Sequence, residues 1–265
     1  MKHPHHMIAL PTPRPAPDRT PCQIVGPARV GVLSDIHAPF HALEPLELAL
    51  AYLDRFDPTH ILLNGDTLDA EAVASWDKDP AKKDFWGEIE AAHQILDHIR
   101  HRFPRAMVYL KQGNHEARLQ LYLWRKAPEL AGLFSLTIAG ILELEKRGIT
   151  EIPSLTRIRL GKLLVIHGHE YRFSISNPVN PARGIYLRAA VSAMCAHFHQ
   201  ISQHSHRNGH GQLVTTWSTG CLCQLEPDYA PLNNWGHGFA TVEVSEDGSF
   251  NVSNLRIIHG KVYNS

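Results

Sequence analysis

The sequence predicts an α/β domain in which two mixed sheets pack face to face with helices outside. In the first half, apolar runs alternate with stretches of helical spacing, the order that builds βαβ units. In the second half, strand-like runs are joined by short connections, as in antiparallel pairs. A third observation locates a site. Residues of metal-ligand type recur just after the apolar runs, at the end of an open α/β sheet where ligands bind.

Residues 1–27 are rich in Pro and His and lack periodicity. Such a segment buries too little apolar surface to offset its ordering entropy, so it reads as a disordered arm, with residues 28–265 as a single domain. His3, His5 and His6 in the arm read as a flexible tail. The first strand is Ala28 to Ser34, followed by Asp35-Ile36-His37. Leu46, Ala49, Leu50 and Leu53 give the next stretch, Leu43 to Phe56, a helical spacing. A buried-strand run, His60 to Asn64, leads into Gly65-Asp66. This strand–helix–strand order implies a parallel pair with a right-handed crossover.

Residues 67–81, with Asp69, Glu71 and Trp76, read as a loop or short helix near the site. A helix follows from Glu88 to Arg102, then a third strand, Met107 to Leu110, and the turn Gly113-Asn114-His115-Glu116. Leu119 to Lys146 reads as largely helical, with a break at Pro128. Two strands, Thr156 to Leu160 and Lys162 to Ile166, end in His167-Gly168-His169. A helix over Pro181 to Ala193 precedes the apolar Met194 to Ala196 and then His197-Phe198-His199. Residues 200–212, with His204, His206 and His210, read as a polar loop. Gln212 to Ser218, Phe239 to Val244 and Ser249 to Ile258 read as later strands.

Composition narrows the function classes. Hydrophobic residues make up 43% and charged residues 20% of 265 positions, ordinary for a soluble globular protein. Formal net charge is zero, so no general field favours nucleic acid or membrane, and any such contact is local. No apolar run reaches the length of a membrane span, and prolines interrupt any signal-peptide core. Cys22, Cys195, Cys221 and Cys223 form no Cys-x-x-Cys pair and read as buried, reduced thiols. The expected setting is the cytoplasm. Histidine, the commonest metal-ligating side chain, is the outlier at 19 residues.

In order, the strand-end clusters are Asp35-x-His37, Gly65-Asp66, Gly113-Asn114-His115-Glu116, His167-Gly168-His169 and His197-x-His199. They offer carboxylate, imidazole and one amide oxygen, with no thiolate. That mix suits Mn, Fe, Zn or Ni better than a structural zinc site. It is too many ligands for one ion, whereas two ions sharing a carboxylate would use them all.

Five such blocks in this order resemble the calcineurin-like metallophosphoesterase superfamily, especially its small bacterial and phage-encoded members. The match runs from residue 35 to 199, and one departure is Ala196 where that family has Gly. The resemblance implies a four-layer αββα sandwich, the metallo-dependent phosphatase fold, with the later strands in its second sheet. It implies two divalent ions, Mn expected first. Asp35, His37 and His199 match the ligands of the first metal, Asp66 the bridging carboxylate, and Asn114, His167 and His197 the ligands of the second. His115 matches the histidine that protonates the leaving group; His169 is not counted as a ligand. Arg118, one helical turn beyond His115, could hold a phosphate oxygen or pair with Glu116 or a neighbour.

A water between two divalent cations loses its proton near neutral pH and can attack phosphorus in line. The expected activity is therefore phosphoester hydrolysis. Protein phosphatases of this superfamily carry Asp-Arg-Gly where this chain has Asp69-Ala70-Glu71. A dianionic monoester needs more cationic grip than a diester, so a phosphodiester substrate is favoured, with a nucleotide or nucleic-acid end in view. A phosphomonoesterase and a non-catalytic scaffold on the same fold are the alternatives.

Overall fold

In strand β2 (Ala28–Leu33), Val30 and Val32 face one apolar layer and Leu33 the other, and all are fully buried. A strand buried on both faces needs a layer on each side. The computed structural model, which describes residues 10–76, 79, 81, 83–171 and 179–264, supplies both. On one side of β2 the sheet continues through β3 (His60–Asn64), β4 (Met107–Lys111) and β5 (Ile149–Ile152), all parallel. On the other side it continues through β11 (Gly238–Val244), β12 (Phe250–Ile258) and β13 (Lys261–Asn264), all antiparallel.

A six-stranded sheet packs against this one. Its order is β1 (Cys22–Ile24), β6 (Ile158–Leu160), β7 (Leu163–Val165), β8 (Ala193–Cys195), β10 (Leu213–Ser218) and β9 (Ser202–Arg207). It too is mixed: β7, β8 and β10 run parallel, while β6–β7 and β10–β9 are antiparallel. Between the sheets lie Val30, Val32, Leu62, Leu160, Val165, Met194, Ala240 and Val242. The outer face of the larger sheet is covered by α1 (Leu43–Phe56), α2 (Phe85–Arg102), α3 (Ala117–Lys126) and α4 (Ile138–Ile141). Ile185 of α5 (Pro181–Ala189) packs on Leu164 and Ala193 of the smaller sheet. The four layers are therefore helix, sheet, sheet and helix, and each fully buried Leu between them contributes about 1.5–3 kcal/mol.

The helices form for local reasons. In α1, Leu46, Ala49, Leu50 and Leu53 make one buried stripe, and Asp57 in the left-handed region ends the helix. In α2, the Asp84 carboxylate accepts from the Gly87 N–H at 2.9 Å and caps the start.

Several expectations need correction. The arm read over residues 1–27 ends earlier, because Cys22–Ile24 pairs in parallel with β6 and Ile24 is buried between the sheets; His3, His5 and His6 lie outside the described residues. The polar loop over 200–212 contains β9, an edge strand with no apolar alternation to reveal it. The helix expected to Ala193 ends at Ala189, with Ala190 in the left-handed conformation. Leu119 to Lys146 is broken into α3, two 3-10 turns (Pro128–Leu130 and Phe134–Leu136) and α4. Of the later strands, only β10 joins the smaller sheet. Strand β11 is buried on both faces over Gly238 to Val242 and inserts beside β2, carrying β12 and β13 with it.

Candidate metal centre

Asp35, Asp66 and Asn114 follow β2, β3 and β4 of the larger sheet, whereas His167 and His197 follow β7 and β8 of the smaller one. The carboxyl ends of two packed sheets thus converge on one point. Backbone bonds lace the loops together: Asp35 N donates to Gly65 O, His37 N to Asp66 O, and Leu222 N to Asp35 O, at 2.9–3.1 Å.

The seven residues singled out as metal ligands come together. Asp35, His37 and Asp66 form one buried triad, and Asp66, His167 and His197 another, so the Asp66 carboxylate is common to both. His199 Nε2 lies 3.2 Å from Asp35 Oδ1 and 3.2 Å from His37 Nε2. His167 Nε2 lies 3.1 Å from Asp66 Oδ2 and 3.3 Å from Asn114 Oδ1. His169 is outside both triads, with Nε2 2.8 Å from Ser154 Oγ.

The backbone is strained to achieve this. Asp35, His37, Asp66, His197 and His199 all have φ between 51° and 71°, a region that L residues adopt at a cost of about 1–3 kcal/mol each. Close approach also requires glycine. A Cβ at Gly113 would stand 2.1 Å from Asp66 Oδ1, and one at Gly65 would stand 2.3 Å from His167 Nδ1.

Residues around the triads aim the ligands. Nδ1 of His37 donates to Asp69 Oδ1 at 2.7 Å, and Nδ1 of His167 donates to the Asn64 carbonyl at 2.8 Å. Both rings thereby turn Nε2 inward, the arrangement that fixes histidine ligands in metal sites. Beneath them the fully buried Glu116 accepts from the backbone N–H groups of Asp66, Thr67, Leu68 and Gly113 at 2.7–3.0 Å. It ties the Gly65-Asp66 turn to the Gly113 turn. Glu170 does the same for His167, accepting from His167 N and Gly168 N. It is held in place by the fully buried Lys111, 3.0 Å away, and its carboxyl is depressed to about 2 because that ammonium outweighs burial.

The electrostatics fit a cation. Asp35 Oδ1 is buried without a hydrogen bond, since His199 Nε2 is near it but not aligned. Burial opposes ionisation of Asp66, yet His115, His167 and His37 outweigh it and hold its carboxyl well below the usual range. Burial likewise opposes a charge on His167, but Asp66 raises that imidazole to about 10. His197, with burial dominant and His167 beside it, falls to about 4. The cluster thus gathers protons onto His167 and His199, where a divalent ion bound to the same atoms would supply positive charge instead.

His115 sits beside the first triad, its ring centroid 4.3 Å from that of His37. Its Nδ1 donates to the Asp69 carbonyl at 2.9 Å, and its Nε2 accepts from Arg118 Nη2 at 2.6 Å. Burial lowers its basicity more than Asp66 and Asp69 restore it, so the ring is the neutral Nδ1–H form. Arg118 pairs with Asp69 and His115, not with Glu116, and its guanidinium lies 4.4 Å from the Trp76 ring centre.

Sequence reasoning missed the roles of Asp69, Asn64, Glu116 and Glu170. Asp69 had a signal: it stands three residues after Asp66, on the same turn. Glu170 stands three residues after His167 and Glu116 three after Gly113, equally local signals, whereas the Asn64 carbonyl meets His167 from 103 positions away in the chain. The cysteines are buried and free as expected at Cys195, Cys221 and Cys223, but Cys223 also forms a candidate metal-holding group with His37 and His199, its Sγ 3.9 Å from His199 Nδ1. A thiol thus stands closer to the centre than the spacing indicated.

Two mixed sheets that gather these aspartates, histidines and asparagine at their strand ends are the architecture of the metallophosphoesterase fold. The chain belongs to the calcineurin-like phosphoesterase family, whose model matches residues 28–213. It is 25% identical over 229 residues to the gene 54 protein of Mycobacterium phage L5, covering 82% of this chain and 89% of that one. The gene 54 protein of Mycobacterium phage D29 is 23% identical over the same length. Among solved structures, vacuolar protein sorting 29 from Cryptosporidium parvum aligns with a TM-score of 0.48 and 13% identity, over 89% of this chain and 95% of that one. Yfce, a phosphoesterase from E. coli, aligns at 0.39 with 14% identity, over 87% and 100%. No helix among the described residues is long and apolar enough to cross a membrane.

Proposed function

We propose that the protein is a phosphodiesterase dependent on two divalent metal ions. The observation that carries this reading is the pair of triads sharing the buried Asp66, with the neutral His115 beside them. Asp35, His37, Asp66 and His199 would hold the first ion, and Asp66, Asn114, His167 and His197 the second. Mn is the first candidate, with Fe, Zn and Ni also matched to an imidazole and carboxylate set. Bound there, the pair supplies Lewis acidity toward the phosphoryl oxygens and a nucleophile at neutral pH.

The chain's own residues do the rest. Asp69 fixes the rings of His37 and His115, so both keep one orientation. Arg118 is the guanidinium at the rim. A phosphate oxygen arriving there competes with His115 for Nη2, which frees His115 Nε2 to face the leaving oxygen. Nε2, unprotonated in the neutral ring, first takes a proton from solvent, with Asp66 and Asp69 beside the resulting imidazolium. It then passes that proton to the departing alkoxide and returns to the neutral form, an assistance typically worth about 10²–10⁴-fold.

The diester preference rests on the cations. Lys111 is sealed against Glu170, and Arg118 is already engaged by Asp69 and His115. That leaves little positive charge for a second negative charge on the substrate. The test is hydrolysis of a bis-aryl phosphodiester against an aryl monophosphate with Mn2+ added. A faster diester supports the proposal, a faster monoester replaces it with a phosphatase, and no turnover of either leaves a scaffold.

A further inference from the structure

An arc of ring contacts runs around the first triad. Trp76 lies against Arg118, Arg118 bonds His115, His115 meets His37 and His37 meets His199. Trp235 continues the arc with its ring 4.1 Å from His199, and Tyr229 stands 6.1 Å beyond it. Trp76 and Tyr229 are the two ends of one arc that passes through His115, His37 and His199. The loop after β3 and the loop between β10 and β11 thus bring three large aromatics to one side of the site.

These rings are not consumed by packing. Trp76 is 47% exposed and lies against the Arg118 guanidinium, and Tyr229 is 68% exposed and meets the Trp235 ring edge-on. On the other side, at His167 and His197, the aromatic neighbour is Phe198, which is buried in the core against α5. The asymmetry matters because a phosphodiester has two arms, and among the described residues the exposed rings stand on the His115 side.

We propose that this rim, formed by Trp76, Tyr229 and Trp235, stacks a nucleobase, so that the phosphoester held at the centre belongs to a nucleotide. The proposal rests on the phosphodiesterase reading and names its substrate class. A planar ring on a phosphodiester is the mark of nucleotides; glycerol-based diesters have none. Stacking also suits a chain of zero formal net charge, because a base face is recognised without a basic stripe along a backbone. The base can come from a free nucleotide or from the end of a single strand.

The experiment uses the full chain loaded with Mn2+. Hydrolysis of a dinucleoside monophosphate is compared with that of glycerophosphoglycerol, a diester of equal charge without rings. Binding of AMP is compared with that of ribose 5-phosphate by calorimetry. The expected result is a preference of roughly tenfold for the base-bearing partner in both comparisons. Trp76→Ala and Tyr229→Ala should collapse that preference at unchanged Tm, and Trp76→Phe should restore most of it. A short single-stranded oligonucleotide binding much more tightly than the dinucleotide assigns the strand end, and equal binding assigns the free nucleotide. Equal turnover of both diesters, with equal binding of AMP and ribose 5-phosphate, overturns the base subsite while leaving the phosphodiesterase intact. No turnover of either diester, with AMP still preferred and the preference lost in Trp76→Ala, keeps the subsite and removes the hydrolytic reading.

Discussion

Asp69 Oδ1 lies 2.7 Å from Nδ1 of His37, and this one bond decides which nitrogen of His37 faces the centre. Burial opposes a charge on Asp69, but His115 and His37 outweigh it and keep the carboxyl ionised. An amide at that position can present its NH2 group to His37 and permit the wrong tautomer. Asp69→Asn is therefore expected to weaken metal binding about 10–100-fold with little change in fold. Calorimetric metal titration and circular dichroism check both halves.

Replacing Asp66 by Asn should do more damage than replacing any one histidine. Asp66 belongs to both triads, and its charge offsets the repulsion between two cations. Metal analysis should show that paired occupancy is lost together with activity. Two ions per chain in the variant, with near-normal turnover, would show the assignment to be wrong.

His115→Ala should leave both ions bound and lower kcat by about 10²–10⁴-fold on diesters with poor alkoxide leaving groups. The loss should shrink for a nitrophenolate, which departs without a proton. Measuring kcat on two diesters of different leaving-group pKa, with metal content in each protein, decides the matter; equal losses end the acid role.

Lys111 and Glu170 form a buried pair under the His167 turn, and the ammonium also donates to the carbonyls of Ser154 and Thr156. Lys111→Ala leaves a carboxylate buried without its cation and should cost about 3–5 kcal/mol. Pairing Lys111→Met with Glu170→Gln should recover part of it. Urea unfolding gives the comparison, and a cost of the single change below about 1 kcal/mol would place the pair outside the folded core energetics.

Glu88 gives the fold an unusual pH dependence. Its side chain accepts from Glu71 N and Ala72 N, and burial, with Asp69 adding to it, pushes its carboxyl from the ordinary 4.5 to about 7. A carboxyl that binds its proton more tightly when folded stabilises the fold at low pH. Its contribution is lost as pH rises from 4.5 to about 7, opposite in sign to the depressed Glu170. Glu88→Gln should flatten that fall, on the order of 2 kcal/mol. Tm measured at intervals between pH 4.5 and 7.5 tests it; identical slopes in both proteins would contradict the role.

The sequence by itself determined the layers of the first half and the members of the centre. The apolar runs of β2, β3 and β4 are continuous because those strands are buried on both faces, and glycines and acids mark their ends. Asp35, His37, Asp66, Asn114, His167, His197 and His199 could be read off because each follows its strand within a few residues. Tertiary structure alone decided which strands share a sheet. Strand β11 pairs with β2 because burial on both faces requires a central position, a choice no local pattern encodes. Strand β9 is polar on an exposed edge, so no periodicity announces it. Asp69, Glu116, Glu170 and the aromatic rim were decided in the same way. Their effect comes from hydrogen bonds and ring contacts between segments far apart in the chain, and those distances exist only once the two sheets have packed.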